Sequence, residues 1–237
     1  MIDFSPILDT LQYRAKTVHD VMCHIQDIPE NGSDVYHFKY VHTEVIPKIN
    51  FLSFLWKAKW KRADDPDIKE VFEHTNAAAK KFKQMLWDKF INPFPRKEFI
   101  SVGYIDNYLK LPFMGYLYQF NVTIIQLGCS TVFIFLKSSI FTLVLVHYVQ
   151  PKGKAHQVVT HEGYTPSWMP YWVSSLAIKL EGNQVTNDMY IWEAKKFGRN
   201  LNFKKGEEAD VFLRKWREWY SQNYEGCLEK ERNSTGW

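Results

Sequence analysis

Hydrophobic and polar residues alternate well along residues 54–62, most regularly from Trp56 to Lys61. One face of this segment carries Trp56, Ala58 and Trp60, and the other carries Lys57, Lys59 and Lys61. A period of two over this length predicts a half-buried β-strand with its lysines in solvent.

Four later segments are rich in Val, Ile, Thr, Phe and Tyr and predict further strands: 99–111, 117–127, 131–136 and 141–150. Such consecutive strands separated by turn residues are typical of an antiparallel meander. Residues 111–136 lack Lys, Arg, Asp and Glu, but Pro, Gly, Asn and Gln interrupt them. That composition favours buried sheet over a helix spanning a membrane.

Helical periodicity predicts three long helices. The first begins at Asp65 and Pro66 and ends before Asn92. The second covers residues 172–193, and the third covers 207–224 with acidic residues in its first turn. Residues 1–30 are expected to form extended segments and turns, and the tail after residue 226 is expected to be loose. The chain is therefore predicted to have an α+β fold.

Composition excludes several classes of function. The chain has 237 residues, of which 16% are aromatic, and a net charge of +4 with dispersed basic residues. Dispersed charge argues against nucleic-acid binding, which requires a clustered basic stripe. Many aromatic rings can build a core or line a cavity for a bulky apolar ligand. The three distant cysteines imply no disulfide framework and fit a reducing compartment.

His37 and His42 are five residues apart, and Asp34 stands three residues before the first of them. Two histidines and a distant carboxylate can hold one iron ion and leave positions open for dioxygen. Residues five apart on an ideal helix point ~140° away from each other. The two imidazoles can therefore share an ion only if the helix ends between them or contains a π turn. The alternative is that the histidines are unrelated and that Ser33 or Asp34 is a helix N-cap.

The surrounding residues resemble a known family. The segment His-Ile-Gln-Asp-Ile-Pro-Glu-Asn-Gly at residues 24–32, followed by Asp34, His37 and His42, resembles the catalytic domain of Rieske-type non-haem iron oxygenases. Within that superfamily it looks most like the cholesterol 7-desaturases of the Neverland family and the 3-ketosteroid 9α-hydroxylases. A second resemblance covers Asp-Met-Tyr-Ile-Trp-Glu-Ala-Lys at residues 188–195 and the aromatic, basic segment 214–220.

The resemblance implies roles for individual residues. His37, His42 and Asp188 would be the iron ligands, and Asp34 would be the carboxylate that links the iron to the electron-delivering cluster. Asp34 would also orient His37 from outside the ligand shell. A helix N-cap is the alternative role for both Asp34 and Asp188. Glu193 and Asp210 are the alternative carboxylate ligands.

The resemblance also implies a fold and a cavity. The expected architecture is a helix-grip, START-like fold, in which a curved antiparallel sheet wraps long C-terminal helices and leaves an elongated apolar cavity beside the iron. Candidates for the cavity wall are Tyr104, Tyr108, Phe120, Phe133 and Phe135. Plain core packing is the alternative for each.

The implied activity is the conversion of cholesterol to 7-dehydrocholesterol with O2 at a mononuclear Fe(II) ion. A steroid hydroxylase of the same superfamily and a non-catalytic sterol-binding module are the alternatives. The family also uses a 2Fe-2S cluster held by Cys-x-His and Cys-x-x-His motifs, and this sequence contains neither motif. We therefore expect the cluster to come from a preceding Rieske domain, so that this chain alone is incomplete for turnover.

The expected organisation follows from that comparison. Residues 1–28 would be the end of a Rieske domain or a linker, 29–226 the catalytic domain, and 227–237 a polar tail. NAD(P)H would supply electrons through a ferredoxin- or reductase-type donor, and the family analogy implies a homotrimer. The full-length protein would lie at the cytoplasmic face of an internal membrane, although this sequence shows no transmembrane segment or signal peptide.

Overall fold

The protein forms one seven-stranded antiparallel sheet with helices after it, in a computed structural model that describes residues 10–42, 53–68, 77–111, 115–139, 141–153, 155–195 and 207–235. The strands are β1 (Leu11–Val21), β2 (Ser53–Arg62), β3 (Ile100–Leu111), β4 (Gly115–Leu127), β5 (Thr131–Lys137), β6 (Thr142–Gly153) and β7 (His156–Pro166). Their order across the sheet is β1-β7-β6-β5-β4-β3-β2. The predicted α+β class with an antiparallel meander is confirmed.

The described helices are α1 (Asp27–Glu30), α2 (Val35–Val41), α3 (Ala77–Leu86), α4 (Tyr171–Ala194) and α5 (Glu208–Thr235). A π turn (Trp87–Ile91) continues α3, and a 3-10 turn (Lys97–Phe99) precedes β3. The two long C-terminal helices confirm that part of the predicted architecture. Among the described residues, no helix has both the length and the apolar character needed to cross a bilayer.

Two predicted helix boundaries differ from the structure. Residues 66–68 form a turn rather than the first turn of a helix, and residues 69–76 lie outside the described residues. The last helix continues to Thr235 and therefore contains most of the segment predicted to be a loose tail. The aromatic stripe of α5 is buried around Trp216 and Tyr220.

Two strands, β1 and β7, were missed or misplaced by the sequence analysis. The inward positions of β7 hold Gln157, Val159, His161, Gly163 and Thr165, so polar residues and a glycine hide its alternation. Strand β1 lies in the segment assigned to a linker, yet it pairs with β7 from Leu11↔Pro166 to Val21↔Gln157. This strand belongs to the sheet. The proposed division of the chain at residue 28 otherwise stays a prediction.

The two faces of the sheet have different partners. On β5, Phe133 and Phe135 belong to a core cluster with Leu86 and Phe90, which come from α3 and the π turn. The alternate residues Val132, Ile134 and Leu136 face a cavity on the other side. Successive side chains of a strand point to opposite faces, so the sheet separates a packed core on one face from a cavity on the other.

Helix α4 lies close against the β1–β7 edge because small residues allow its approach. A Cβ added at Gly163 of β7 would overlap the Ile178 side chain, and one added at Gly182 would lie 3.0 Å from Thr17 Cγ2. Close packing in this region therefore requires glycine, which has no side chain, at both positions. The contact fixes the height of α4 above the sheet and hence the position of residues farther along that helix.

We predict that Gly163→Ala lowers the free energy of unfolding by about 1–3 kcal/mol, because overpacking forces Ile178 or the α4 backbone to move. Urea unfolding monitored by circular dichroism measures this change. Gly153→Ala is the matched control, since a Cβ there would meet its nearest neighbour, His156 Cβ, only at 3.8 Å. Equal effects of the two substitutions would contradict the role given to the Gly163–Ile178 contact.

Candidate metal centre

Helix α2 begins at Asp34, whose carboxylate caps it. Asp34 Oδ1 accepts hydrogen bonds from the backbone N–H groups of Tyr36 and His37, each at 3.1 Å. This satisfies two of the free N–H groups of the first turn, as an N-cap does. Asp34 therefore has the capping role that the sequence analysis gave as an alternative. Its predicted role in electron transfer is a separate matter and stays a prediction.

The helix ends between the two histidines. Val41 is the last helical residue, and His42 leaves the helix with φ −107° and ψ 19°. This turn brings the His42 ring back over the preceding residues, so that its Nε2 lies 3.0 Å from His37 Nε2. Of the two geometries predicted to allow a shared ligand, the structure has the helix end and not the π turn.

Asp188 completes a cluster of three. Its Oδ1 lies 3.1 Å from His42 Nε2 and 3.7 Å from His37 Nε2, and all three residues are buried. Helix α4 carries Asp188, so the cluster joins two segments that are distant in sequence. The structure thus brings together the three residues predicted as ligands. Among the described residues, Glu193 and Asp210 are not part of this cluster, and Glu193 instead accepts a hydrogen bond from the Met22 N–H.

The outer nitrogens of both imidazoles face oxygen acceptors. His37 Nδ1 lies 2.8 Å from the backbone carbonyl oxygen of Asp34. His42 Nδ1 lies 2.5 Å from Gln184 Oε1. An acceptor at Nδ1 places the ring proton on that nitrogen and leaves a lone pair on Nε2. The expectation that the Asp34 carboxylate orients His37 is therefore wrong: the carbonyl of Asp34 does so, because the carboxylate is occupied at the helix cap.

The donor set fits a cation. The two Nε2 atoms and one carboxylate oxygen lie close together, and three ligand atoms ~2.1 Å from one ion lie ~3 Å apart. The measured separations of 3.0, 3.1 and 3.7 Å agree with that requirement. Two imidazoles and one carboxylate are the protein ligands of non-haem Fe(II) sites with open positions.

A proton competes with a metal ion for this position. Burial lowers the pKa of His37 and so favours its neutral form. Burial alone would also lower the pKa of His42, but the hydrogen bond and charge of Asp188 outweigh it and raise this pKa. Because metal ligands must be deprotonated, acid releases the ion and alkali favours its binding.

Gln184 is a site residue that the sequence analysis missed. It lies four residues before Asp188 and therefore on the same face of α4. This spacing was the available signal, but it becomes informative only once Asp188 is accepted as a ligand and His42 is known to lie beside it. Partners of this kind fix the orientation of a ligating histidine.

Glu30 connects the two sequence segments that carry the family resemblance. Its carboxylate accepts hydrogen bonds from Arg217 Nε and Nη2, both at 2.7 Å, and from Lys195 Nζ at 3.1 Å. Burial would raise the pKa of Glu30, but these hydrogen bonds and charges outweigh it and lower the pKa. The segment at residues 24–32, which precedes Asp34, is thereby fixed to the end of α4 and to α5.

A cavity of about 350 Å³ adjoins the three candidate ligands. This volume lies within the ~300–1,000 Å³ of small-molecule sites. Much of its wall is apolar, including Ile105, Phe120, Val122, Ile124, Ile134 and Leu143.

The predicted aromatic wall is mostly wrong. Phe120 lines the cavity, but Tyr104, Phe133 and Phe135 belong to the core on the opposite face of the sheet. Tyr108 is not among the residues around the cavity either. In their strands, these four residues alternate with the positions that face the cavity. Branched aliphatic side chains occupy many of those cavity-facing positions instead.

Comparison with known proteins identifies relatives of this sequence. The sequence is 29% identical over 212 residues to cholesterol 7-desaturase nvd 1 of Ciona intestinalis, covering 90% of this chain and 40% of that protein. It is 28% identical over 240 residues to cholesterol 7-desaturase nvd of Drosophila melanogaster, covering 100% of this chain and 50% of that protein. Homologues of this chain are cholesterol 7-desaturases. The chain spans about half the length of these relatives, and no protein-family model matches it.

Solved structures show the same fold. Dicamba monooxygenase bound to 3,6 dichlorosalicylic acid superimposes with a TM-score of 0.54 at 11% identity, covering 94% of this chain and 63% of that one. A quaternary ammonium Rieske monooxygenase gives a TM-score of 0.55 at 12% identity, with 92% and 52% coverage. The fold is that of Rieske oxygenase catalytic domains.

We predict that Asp188→Ala reduces bound iron at least tenfold, because it removes one of three ligand atoms. Iron per purified chain after loading with Fe(II) under anaerobic conditions measures the effect. Glu193→Gln is the control, since Glu193 was the alternative ligand and its hydrogen bond to Met22 can be kept. Loss of iron in Glu193→Gln, with retention in Asp188→Ala, would reverse the assignment.

We predict that Gln184→Leu weakens iron binding about 10–100-fold without abolishing it, because His42 loses the partner that fixes its ring. Gln184→Glu keeps an acceptor at the same place and should bind iron more tightly than Gln184→Leu. Competition with a chelator of known affinity measures both. Equal affinity of Gln184→Leu and the unmodified chain would show that Gln184 does not orient the ligand.

Proposed function

We propose that this chain is the mononuclear-iron catalytic domain of a sterol 7-desaturase, which removes two hydrogen atoms from cholesterol to give 7-dehydrocholesterol. The observation that supports it best is the convergence of His37, His42 and Asp188 beside an apolar cavity, in a chain whose homologues are cholesterol 7-desaturases.

His37, His42 and Asp188 would hold the iron, and the proton positions set by the Asp34 carbonyl and Gln184 keep both Nε2 atoms available for it. A ferrous ion with open positions supplies the activation of dioxygen. The protein's part would be to hold the three ligand atoms together at the cavity wall. The apolar wall excludes water from that space and binds the rings of a sterol by burial of apolar surface.

Several components would come from outside this chain. We propose that a 2Fe-2S cluster, a ferredoxin- or reductase-type donor and NAD(P)H deliver the electrons. Asp34 would then contact the electron-delivering cluster domain, since Asp34 is partly exposed while its carbonyl oxygen accepts a hydrogen bond from His37 Nδ1. By analogy with the family, the full-length protein would be a homotrimer at the cytoplasmic face of an internal membrane.

We expect cells that express the full-length protein and receive cholesterol to accumulate 7-dehydrocholesterol. Asp188→Ala should abolish the product, whereas Glu193→Gln should retain it. Mass spectrometry measures the loss of two hydrogen atoms, and the conjugated diene is detected by its ultraviolet absorbance.

Other outcomes identify the alternatives. Gain of one oxygen atom in the product would identify a steroid hydroxylase instead of a desaturase. A purified protein that binds sterol but no stoichiometric iron would be a sterol-binding module without catalysis. Full diene production by Asp188→Ala would contradict the assignment of the metal centre.

A further inference from the structure

Three histidines lie together on the cavity side of the sheet, outside the metal centre. They are His19 on β1, His147 on β6 and His161 on β7. His147 and His161 are directly opposite in the β6–β7 register, and their ring centroids are 3.7 Å apart at an interplanar angle of 31°. His19 contacts His161 edge-on with centroids 5.7 Å apart. Strand pairing therefore produces a close, tilted imidazole pair with a third ring beside it.

The His147–His161 pair lacks hydrogen-bond partners among the residues that the structure describes. Nε2 of His147 and both ring nitrogens of His161 are buried without one. His161 is only 2% exposed. Buried polar side chains normally have a partner, and leaving one unpaired destabilises the protein. Both rings line the cavity, so a molecule inside it can supply the missing partner.

The pair is neutral, which limits the kind of group that it can bind. Burial lowers the pKa of His147 to about 3 and that of His161 well below its usual value. The charged group that acts on His147 from helix α4 is Asp188, which is too weak an influence to reverse the effect of burial. A neutral imidazole offers one N–H donor and one lone-pair acceptor. This pattern complements a hydroxyl group, which also donates and accepts, and provides no charge for a carboxylate, phosphate or ammonium.

We propose that the His147–His161 pair binds the hydroxyl group of the ligand in the cavity and thereby fixes which carbon atoms face the metal centre. The proposal rests on the function proposed above and names a specificity-determining contact for it. Apolar walls alone allow a sterol to slide or reverse, because burial of apolar surface is non-directional. A few placed polar groups fix orientation in such pockets.

The test compares two ligands with and without the histidine. Cholesterol and cholest-5-ene differ only in the 3-hydroxyl group, and the affinity of each is measured by equilibrium binding to the iron-loaded protein. We expect the unmodified protein to bind cholesterol about tenfold more tightly than cholest-5-ene. His147→Leu should reduce cholesterol affinity about tenfold and leave cholest-5-ene affinity unchanged. His147→Gln, which keeps one donor and one acceptor, should restore part of the difference.

His156→Leu is the matched control, because His156 lies on β7, the strand of His161, but pairs with Asp20 at the surface. It should change neither affinity. Iron content should equal that of the unmodified protein in every variant, which separates this contact from the metal centre.

Each other outcome decides against the proposal. Equal affinities of the unmodified protein for the two ligands would overturn it, even if His147→Leu failed to fold. An equal loss of both ligands in His147→Leu would assign the pair a structural role. A second iron ion per chain that His161→Leu removes would identify a metal site instead. Binding of neither ligand, with iron retained, would contradict the proposed sterol substrate itself.

Discussion

The buried carboxylate of Glu30 is the interaction on which the candidate site depends. A buried charge that loses its partners costs several kcal/mol, so Glu30 holds Arg217 and Lys195 firmly. Glu30 lies four residues before Asp34, and Lys195 lies seven residues after Asp188. The ion pairs therefore hold the segment before Asp34 against the end of α4 and against α5. This helps to keep the separations of the three candidate ligands within a few tenths of an ångström.

The sequence indicated the candidate ligands of the site more readily than the residues that position them. His37 and His42 stood in a recognisable motif, and the helix N-cap was one of the two roles considered for Asp34, because these features depend on neighbours in the chain. Gln184 and the Glu30–Arg217 pair depend on partners more than a hundred residues away, and no local pattern reveals them. Likewise, alternation in β5 indicated a strand but could not decide whether Phe133 or Ile134 would face the cavity.

The metal centre and the histidine pair illustrate two uses of the same side chain. His37 and His42 each have an oxygen acceptor at Nδ1, which leaves the lone pair of each ring on Nε2. His147 and His161 have no such partner among the described residues and contact each other through tilted rings instead. The first arrangement suits a cation, whereas the second suits a neutral polar group. The difference comes from what surrounds each imidazole and not from the residue type.

The pairing of β1 with β7 affects how the chain is made. Arg14 donates a hydrogen bond to Thr165, 151 residues later, and both are buried. During synthesis at ~5–20 residues per second, β1 would therefore wait ~10 s or more for its partner to leave the ribosome. Its exposed positions include Lys16 and Asp20, and charges of this kind hinder the association of unpaired strand edges. The nascent polypeptide thus carries its own protection against aggregation until the sheet can close.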